Sequence, residues 1–300
     1  MQLSVVIPTL NGREQLSRTL DALAAHAPDV EVIVVNGPSA DGTTGMVQDH
    51  DVVDVLVEIA DRTVNAARNA GIDHATGDVV ALVNQGLVVD EGWIDALLAG
   101  LEEEAVVTGP THERMRAGMA TETFEERTIS GREVSYVNGG NMAMRRRVLD
   151  DLDGFDEYLD IGGARDLAHR LPRFDYGVAW QPSMCVQREF EADGGIRRTD
   201  WGWKYRSLAY RLVKNYGIRP TVLRRLVSHA GRDALSTLRE VVRGDARPSN
   251  WLSTGRTVLG NIAVGLKDGF WSRNVDRTAR RNPKGRSTRT DRAVAVYDWR

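Results

Sequence analysis

Apolar and polar positions follow two regimes in the first third of the chain. Short runs at Ser4–Pro8, Glu31–Val35, Val52–Ile59, Asp78–Val83 and Val106–Gly109 are rich in Val, Ile and Leu. Such runs predict strands covered on both faces, where no polar alternation is needed. Between them lie segments of helical period. Gln15–Ala25 carries Leu16, Leu20, Leu23 and Ala24 on one face, and Thr43–Asp49, Thr63–Ala75 and Glu91–Glu102 follow in the same manner. The breakers Pro8-Thr9-Leu10-Asn11-Gly12, Asn36-Gly37-Pro38-Ser39 and Asn84-Gln85-Gly86 separate strand from helix. The alternation predicts an α/β domain with a mostly parallel sheet and helices on both faces. Ligands then belong at the carboxyl ends of the strands.

Beyond residue 200 the pattern becomes helical. Leu208, Ala209, Leu212, Val213 and Tyr216 make one stripe, and after Pro220 a second runs from Val222 to Val242 at spacings of three and four. Lys204, Arg206, Arg211 and Lys214 flank the first; Arg224, Arg225, Arg232, Arg239 and Arg243 flank the second. Basic amphipathic helices beside tryptophans suit an anionic lipid surface. The competing reading is that they pack on the body. Arg273 to Arg292 is polar and basic and is expected to be loose. The expected division is a domain over 1–200 and a helical, membrane-interfacial tail over 201–300.

Charge sharpens this division. The 300 residues carry a net charge of −3, but residues 1–200 hold 17 basic and 35 acidic side chains, while 201–300 hold 22 and 7. An acidic body thus adjoins a basic end that an anionic partner would attract. Four of the 39 basic residues are lysines. This fits either a high-salt protein or a genome that favours arginine codons. The arginines accompany apolar stripes rather than a nucleic-acid motif, so no nucleic-acid partner is expected. The longest apolar stretch near the end, Thr257 to Leu266, is interrupted by Asn261 and is too short to span a bilayer. Met1 runs directly into the first strand without a basic leader, and Cys185 is the single cysteine. A cytoplasmic setting without disulfides is expected. The first turn lacks Gly-x-Gly-x-x-Gly and no Walker loop occurs, which removes the common dinucleotide and P-loop classes.

Five segments carry a more specific signal: Val5-Val6-Ile7-Pro8-Thr9-Leu10-Asn11, Val34 through Thr43, Ala66-Ala67-Arg68-Asn69-Ala70-Gly71, Asn138 through Arg146 with Gly154-Phe155-Asp156-Glu157, and Asp166-Leu167 with Arg170-Leu171. In this order they resemble the family-2 glycosyltransferases of the GT-A fold, over about residues 3–190. The resemblance implies a nucleotide-sugar site lined by Thr9, Asn11, Asn36, Asp41, Arg68 and Asn84, and an acceptor side at Gly140, Asn141 and Arg145. It also implies an inverting transfer, and the acidic body with its basic end resembles haloarchaeal enzymes that build the dolichol-phosphate-linked glycan of S-layer proteins. The expected partners are therefore a nucleotide sugar, a lipid-linked glycan and the cytoplasmic face of the membrane.

Two departures bear on chemistry. The family's Asp-x-Asp, which would hold Mg²⁺ or Mn²⁺, is replaced by Asn84-Gln85-Gly86, and no metal ligand is assigned. The family's Glu-Asp pair falls on Gly163-Ala164. The expected substitutes are Asp166, favoured because it keeps a family position, or His169 as base, three apart on one helical face, and Arg165 or the Arg145-Arg146-Arg147 cluster for the missing positive charge. A catalytically inactive relative serving as a membrane-associated partner subunit is the other reading of the same departures.

Overall fold

The computed structural model describes residues 1–115, 118–121, 123–188, 200–243 and 248–300. In its first half, β1 (Leu3–Thr9), β2 (Glu31–Asn36), β3 (Val55–Ile59) and β4 (Val79–Val83) alternate with α1 (Arg13–His26), α2 (Thr43–Gln48) and α3 (Val64–His74). Then come β5 (Leu87–Val89), α4 (Trp93–Glu103), β6 (Val106–Thr108), β7 (Thr111–Met115) and β8 (Gly118–Thr121). The hairpin β9 (Glu126–Ile129) and β10 (Arg132–Ser135) precedes β11 (Asn141–Arg145), α5 (Arg146–Leu152) and α6 (Gly163–Arg170). Short strands β12 (Val178–Trp180) and β13 (Val186–Arg188) close this part. Helices α7 (Trp201–Tyr216), α8 (Pro220–Arg243) and α9 (Pro248–Val275) follow, and β14 (Ala293–Asp298) is the last element.

The main sheet has eight strands in the order β12-β6-β11-β4-β1-β2-β3-β14. The centre, β4-β1-β2-β3, is parallel, while β11 and β14 run antiparallel to their neighbours. One face is covered by α1 and α4 around Leu16, Leu20, Trp93 and Leu97. The other is covered by α3, α5 and α6 around Ile72, Leu149, Phe155 and Leu167. With both faces apolar, the central strands β1, β2 and β4 are buried throughout, as the continuous runs required. A second sheet, β5-β13-β7-β8, stands beside it.

The last hundred residues correct the expected tail. Helix α7 is largely buried: Tyr205, Tyr210, Leu212 and Lys214 are at most 1% exposed. It packs with α8 and the β9–β10 hairpin in a third apolar cluster. Gly265 and Gly269 lie one turn apart on α9, and a Cβ on either would stand 2.4 Å from Arg206 O or 2.6 Å from Tyr210 O. The two helices therefore meet backbone to backbone, at a distance that only glycine allows. The segment expected to be loose is tied down. Arg286 pairs with Asp150 and Asp73, Arg289 with Asp61 and Glu157, and Arg292 with Glu157 and Asp73. The chain then returns to the main sheet as β14, beside β3. A boundary at residue 200 thus separates composition but not architecture. Among the described residues no helix is long and apolar enough to cross a membrane.

Candidate functional site

The carboxyl ends of β1 to β4 open into a cleft of about 720 Å³. Its walls come from Pro8–Leu10 at the end of β1, Gly37 after β2, Asp61–Val64 leading into α3, and Asn84–Gly86 after β4. The loop at 137–140 and the start of α6 at 160–165 complete it. This is where an open α/β sheet leaves a crevice, because the loops at the strand ends diverge there.

Arg68 is the central cation. It sits on α3, is 4% exposed, and burial pushes its pKa down to about 10. Its Nη1 donates to Asn65 Oδ1 at 3.3 Å; its Nη2 donates to Asn84 Oδ1 at 3.2 Å and to Gly139 O. Its buried Nε has no partner. Thr9, Arg68, Asn84, Gly140 and Arg165, all singled out in the sequence, line the cleft together. At Gly140 a Cβ would meet Leu87 Cδ1 at 2.7 Å and Asn84 Nδ2 at 3.0 Å, so this strand-leading loop can close on Asn84 because the residue is glycine. Arg165 lies over the Tyr136 ring at 4.4 Å and pairs with Glu125 at 2.8 Å.

Other expected residues do different work. Asn36 is buried, donates to Thr44 Oγ1 and accepts from Ser39 Oγ. Asn11 Oδ1 accepts from Ala40 N, and Asp41 accepts from Arg13 N and from Thr43. The Thr43 bonds hold the Asp41 carboxyl below its usual range. These three residues knit the loops after β1 and β2 together and are not among the residues that line the cleft. Asn141 is fully buried, accepts from Trp93 Nε1 at 2.9 Å and donates to Met184 O at 2.6 Å. Arg145 pairs in register with Val79 at the start of β4 and donates to Leu101 O. It therefore stands at the opposite end of the strands from the cleft and cannot serve an acceptor here.

The expected base is also corrected. Asp166 is fully buried, with Lys214 Nζ at 2.7 Å, Arg170 Nε at 2.9 Å and Asn215 Nδ2 at 2.9 Å. Burial works to raise its pKa, but Lys214 and Arg170 outweigh it and hold the carboxyl at about 2. With both oxygens engaged and no opening to the cleft, it cannot take a proton from a substrate. His169 is 1% exposed, lies 2.9 Å from Tyr216 OH and is boxed by Tyr136 and Tyr216. Burial, with Arg211 nearby, holds the imidazole neutral. The helical spacing put both residues on one face, and that face is the inner one.

Gly163 stands where the resemblance places the family's carboxylate pair. A Cβ there would stand 2.2 Å from Asn65 Oδ1. Asn65 itself donates to Asp156 O and to Leu159 O at 2.6 Å, so it has little freedom to withdraw. The cleft has other charged groups that the sequence reading passed over: Asp61, Arg62, Asp160 and Arg188. Asp61 faces Arg289, and Arg188 faces Glu113. Asp160 is half-buried and makes no hydrogen bond or ion pair among the described residues. Burial raises its pKa, Arg206 opposes this and Asp200 adds to it. Asp61 and Arg62 follow β3 directly, at the strand end where the topology places ligands, and that position was their signal. Asp160 lies in an irregular loop and carried none.

A divalent cation does not suit the donor set after β4. Asn84 Oδ1 faces a buried guanidinium, Gln85 Oε1 accepts from Thr9 Oγ1 and from Leu10 N, and Gly86 has no side chain. Neutral amides already engaged by donors, beside Arg68, do not fit Mg²⁺ or Mn²⁺. Among the described residues no group of three or more His, Cys, Asp or Glu is arranged to hold a metal.

The model of glycosyl transferase family 2 matches residues 4–153. This chain belongs to that family. Glycosyltransferase AglE of Haloferax volcanii is 26% identical over 177 residues, covering 53% of this chain and 58% of AglE. The glucosyl-dolichyl phosphate glucuronosyltransferase of the same organism is 28% identical over 195 residues, 57% of this chain and 62% of that protein. The pre-mycofactocin glycosyltransferase of Mycobacterium tuberculosis is 26% identical over 227 residues, 69% of this chain and 47% of that protein. The matches thus span between 47% and 62% of these relatives. In three dimensions the family-2 chain is similar to the mannosyltransferase PcManGT of Pyrobaculum calidifontis, a complex with GDP-Man and Mn²⁺. The TM-score is 0.57 at 15% identity, over 90% of this chain and 87% of PcManGT. Staphylococcus aureus TarS 1-349 with UDP-GlcNAc gives 0.58 at 17% identity, over 92% of both chains. Identities this low establish the GT-A fold and nothing finer.

Proposed function

We propose that the chain is an inverting glycosyltransferase that uses a nucleotide-sugar donor and fixed arginines in place of a cation. The observation that carries this reading is the Arg68–Asn84 contact in the cleft. A buried guanidinium occupies the neighbourhood of the missing carboxylates. Arg68, with Arg62 and Arg165 at the rim, supplies positive charge for a departing diphosphate, a role for which preorganised donors in a dry site are well suited. Asn84 and Thr9 offer neutral polar groups to ribose or base. The acceptor hydroxyl attacks the anomeric carbon opposite the diphosphate, and Asp160, which makes no hydrogen bond or ion pair among the described residues, takes its proton.

The acceptor we propose is a glycan on a lipid phosphate carrier, in dolichol-phosphate-linked N-glycan assembly for S-layer proteins. The haloarchaeal relatives support this, one of them named for a dolichyl phosphate substrate. The proposed place of work is the cytoplasmic membrane face. It is supported by Val227, Leu235 and Val242 on α8 and Leu252, Leu259 and Trp271 on α9, all more than half exposed. Arg224, Arg225, Arg232, Arg239 and Arg243 accompany the first set. One observation favours the inactive partner-subunit reading: the base position of the family is closed by Asn65 against Gly163. Purified full-length chain, given UDP and GDP sugars and a lipid-phosphate acceptor with EDTA present, is expected to release nucleoside diphosphate. Release that requires added Mn²⁺ contradicts the arginine reading, and binding without any release from any donor supports the partner-subunit reading. Flotation with anionic liposomes tests the location.

A further inference from the structure

A second cavity, of about 510 Å³, shares no lining residue with the donor cleft. It lies between the β9–β10 turn, the segment after α6, the end of α7 and the end of α9. Six of its lining residues are arginines: Arg132, Arg173, Arg219, Arg273, Arg277 and Arg281. None of the lining residues is acidic.

Three of the six have a structural explanation. Arg173 donates to Ala279 O and Asn215 O, Arg273 to Lys214 O and Asn215 O, and Arg281 to Arg273 O and Asp276 O. Their acceptors are mostly the last carbonyls of α7 and α9, where cations sit well. These bonds fix the guanidiniums without neutralising them. The Nε atoms of Arg173 and Arg281 remain buried and without a partner. Arg132, Arg219 and Arg277 make no side-chain hydrogen bond or ion pair among the described residues. The nearby carboxylate of Asp276 is occupied by Thr278, Asn282 and Arg280. Burial and neighbouring arginines push the Arg173 and Arg273 pKa values down, as mutual repulsion requires.

The contrast within the same segment is informative. Arg286, Arg289, Arg292 and Arg300 each meet a carboxylate of the body. In an acidic protein, six arginines brought together without one carboxylate form a cavity short of negative charge. We propose that this cavity binds a phosphate-type oxyanion, either free in solution or borne on a lipid headgroup. Planar guanidiniums match phosphate oxygens in pairs, and fixed donors lose little freedom on binding. The lipid source has a neighbour suited to it: Ile218, Trp271 and Val275 are 57%, 71% and 59% exposed on the same helix ends.

The test uses the full chain and its Arg219→Gln/Arg277→Gln variant, whose altered side chains have no hydrogen-bond or ion-pair partner among the described residues to lose. Calorimetry with inorganic pyrophosphate reads the free source. Flotation with phosphatidylcholine vesicles carrying phosphatidic acid, against vesicles carrying equal phosphatidylserine, reads the lipid source. Saturable binding in either arm that weakens by about 10-fold or more in the variant is expected, from the loss of two charge-assisted contacts. An Arg68→Met chain, altered only in the donor cleft, is expected to keep that binding. Thermal melts confirm that each variant is folded. Binding in the first arm that weakens in the Arg219→Gln/Arg277→Gln variant and survives in Arg68→Met assigns a soluble phosphate compound, and preference for phosphatidic acid in the second assigns a headgroup. Absence of saturable binding in both arms, binding indifferent to Arg219 and Arg277, or binding lost with Arg68 overturns the proposal.

Discussion

Lys214 Nζ on α7 lies 2.7 Å from Asp166 Oδ2 on α6, and both side chains are fully buried. The same ammonium lies 2.7 Å from Asp156 Oδ2, which also accepts from Tyr210 OH. A residue from the basic end of the chain thus bridges two carboxylates of the acidic body. Replacing Lys214 by Met leaves both carboxylates without it, a change typically costing about 3–5 kcal/mol. A chemical-denaturation midpoint measured at neutral pH is expected to fall accordingly. A midpoint within error of the parent would mean that α7 docks by apolar contact alone.

The same pair sets a pH dependence. The Asp166 carboxyl is held at about 2, below its ordinary 3.8. A depressed folded-state pKa means that its contribution is present above about 4 and is lost as pH falls toward 2. Asp166→Asn is expected to flatten the stability curve in that window while lowering stability at neutral pH. Denaturant titrations at several pH values check both effects.

Asp160 and Asp166 separate chemistry from architecture. Asp160→Asn is expected to lower turnover by about 10²–10⁴ with little change in melting temperature or donor affinity. Burial raises the Asp160 pKa, so the acid limb of the rate profile should lie above the ordinary carboxylate range and vanish in the variant. Unchanged turnover in Asp160→Asn would remove it as the base.

Arg68→Met tests the charge that stands in for a cation. The loss of a buried charge-assisted contact to diphosphate is worth about 1.5–3 kcal/mol, or roughly 10- to 150-fold in affinity. Calorimetry with UDP and GDP is the measurement. Retained affinity for both would place the diphosphate elsewhere.

Gly163 offers a packing test. A methyl group there overlaps Asn65 Oδ1 at 2.2 Å, and overpacking of this kind costs about 1–3 kcal/mol. Asn65→Ser in the same chain is expected to recover part of that loss, since it removes the clashing amide. Strictly additive melting-temperature changes would show that the two positions do not touch.

The sequence alone determined the parallel centre of the sheet and the family. Strands buried on both faces must be written as continuous Val and Ile runs, and the helices between them must show an apolar period. That is why Ser4–Pro8 and Leu3–Thr9, or Asp78–Val83 and Val79–Val83, nearly coincide. Thr9, Arg68 and Asn84, which only the family resemblance had singled out, lie together in the cleft at the strand ends. Tertiary structure decided the rest. Helical spacing placed Asp166 and His169 on one face but carried no information about which neighbour that face would meet, and Lys214 is 48 residues away from Asp166 in sequence. The arginines after residue 273 looked like a solvated tail, because a strand pairing with β3 and carboxylates spread from Glu31 to Glu157 leave no local pattern. Periodicity records which side of an element is apolar. Charge partners and cavities depend on which distant segments share that side, and packing settles this.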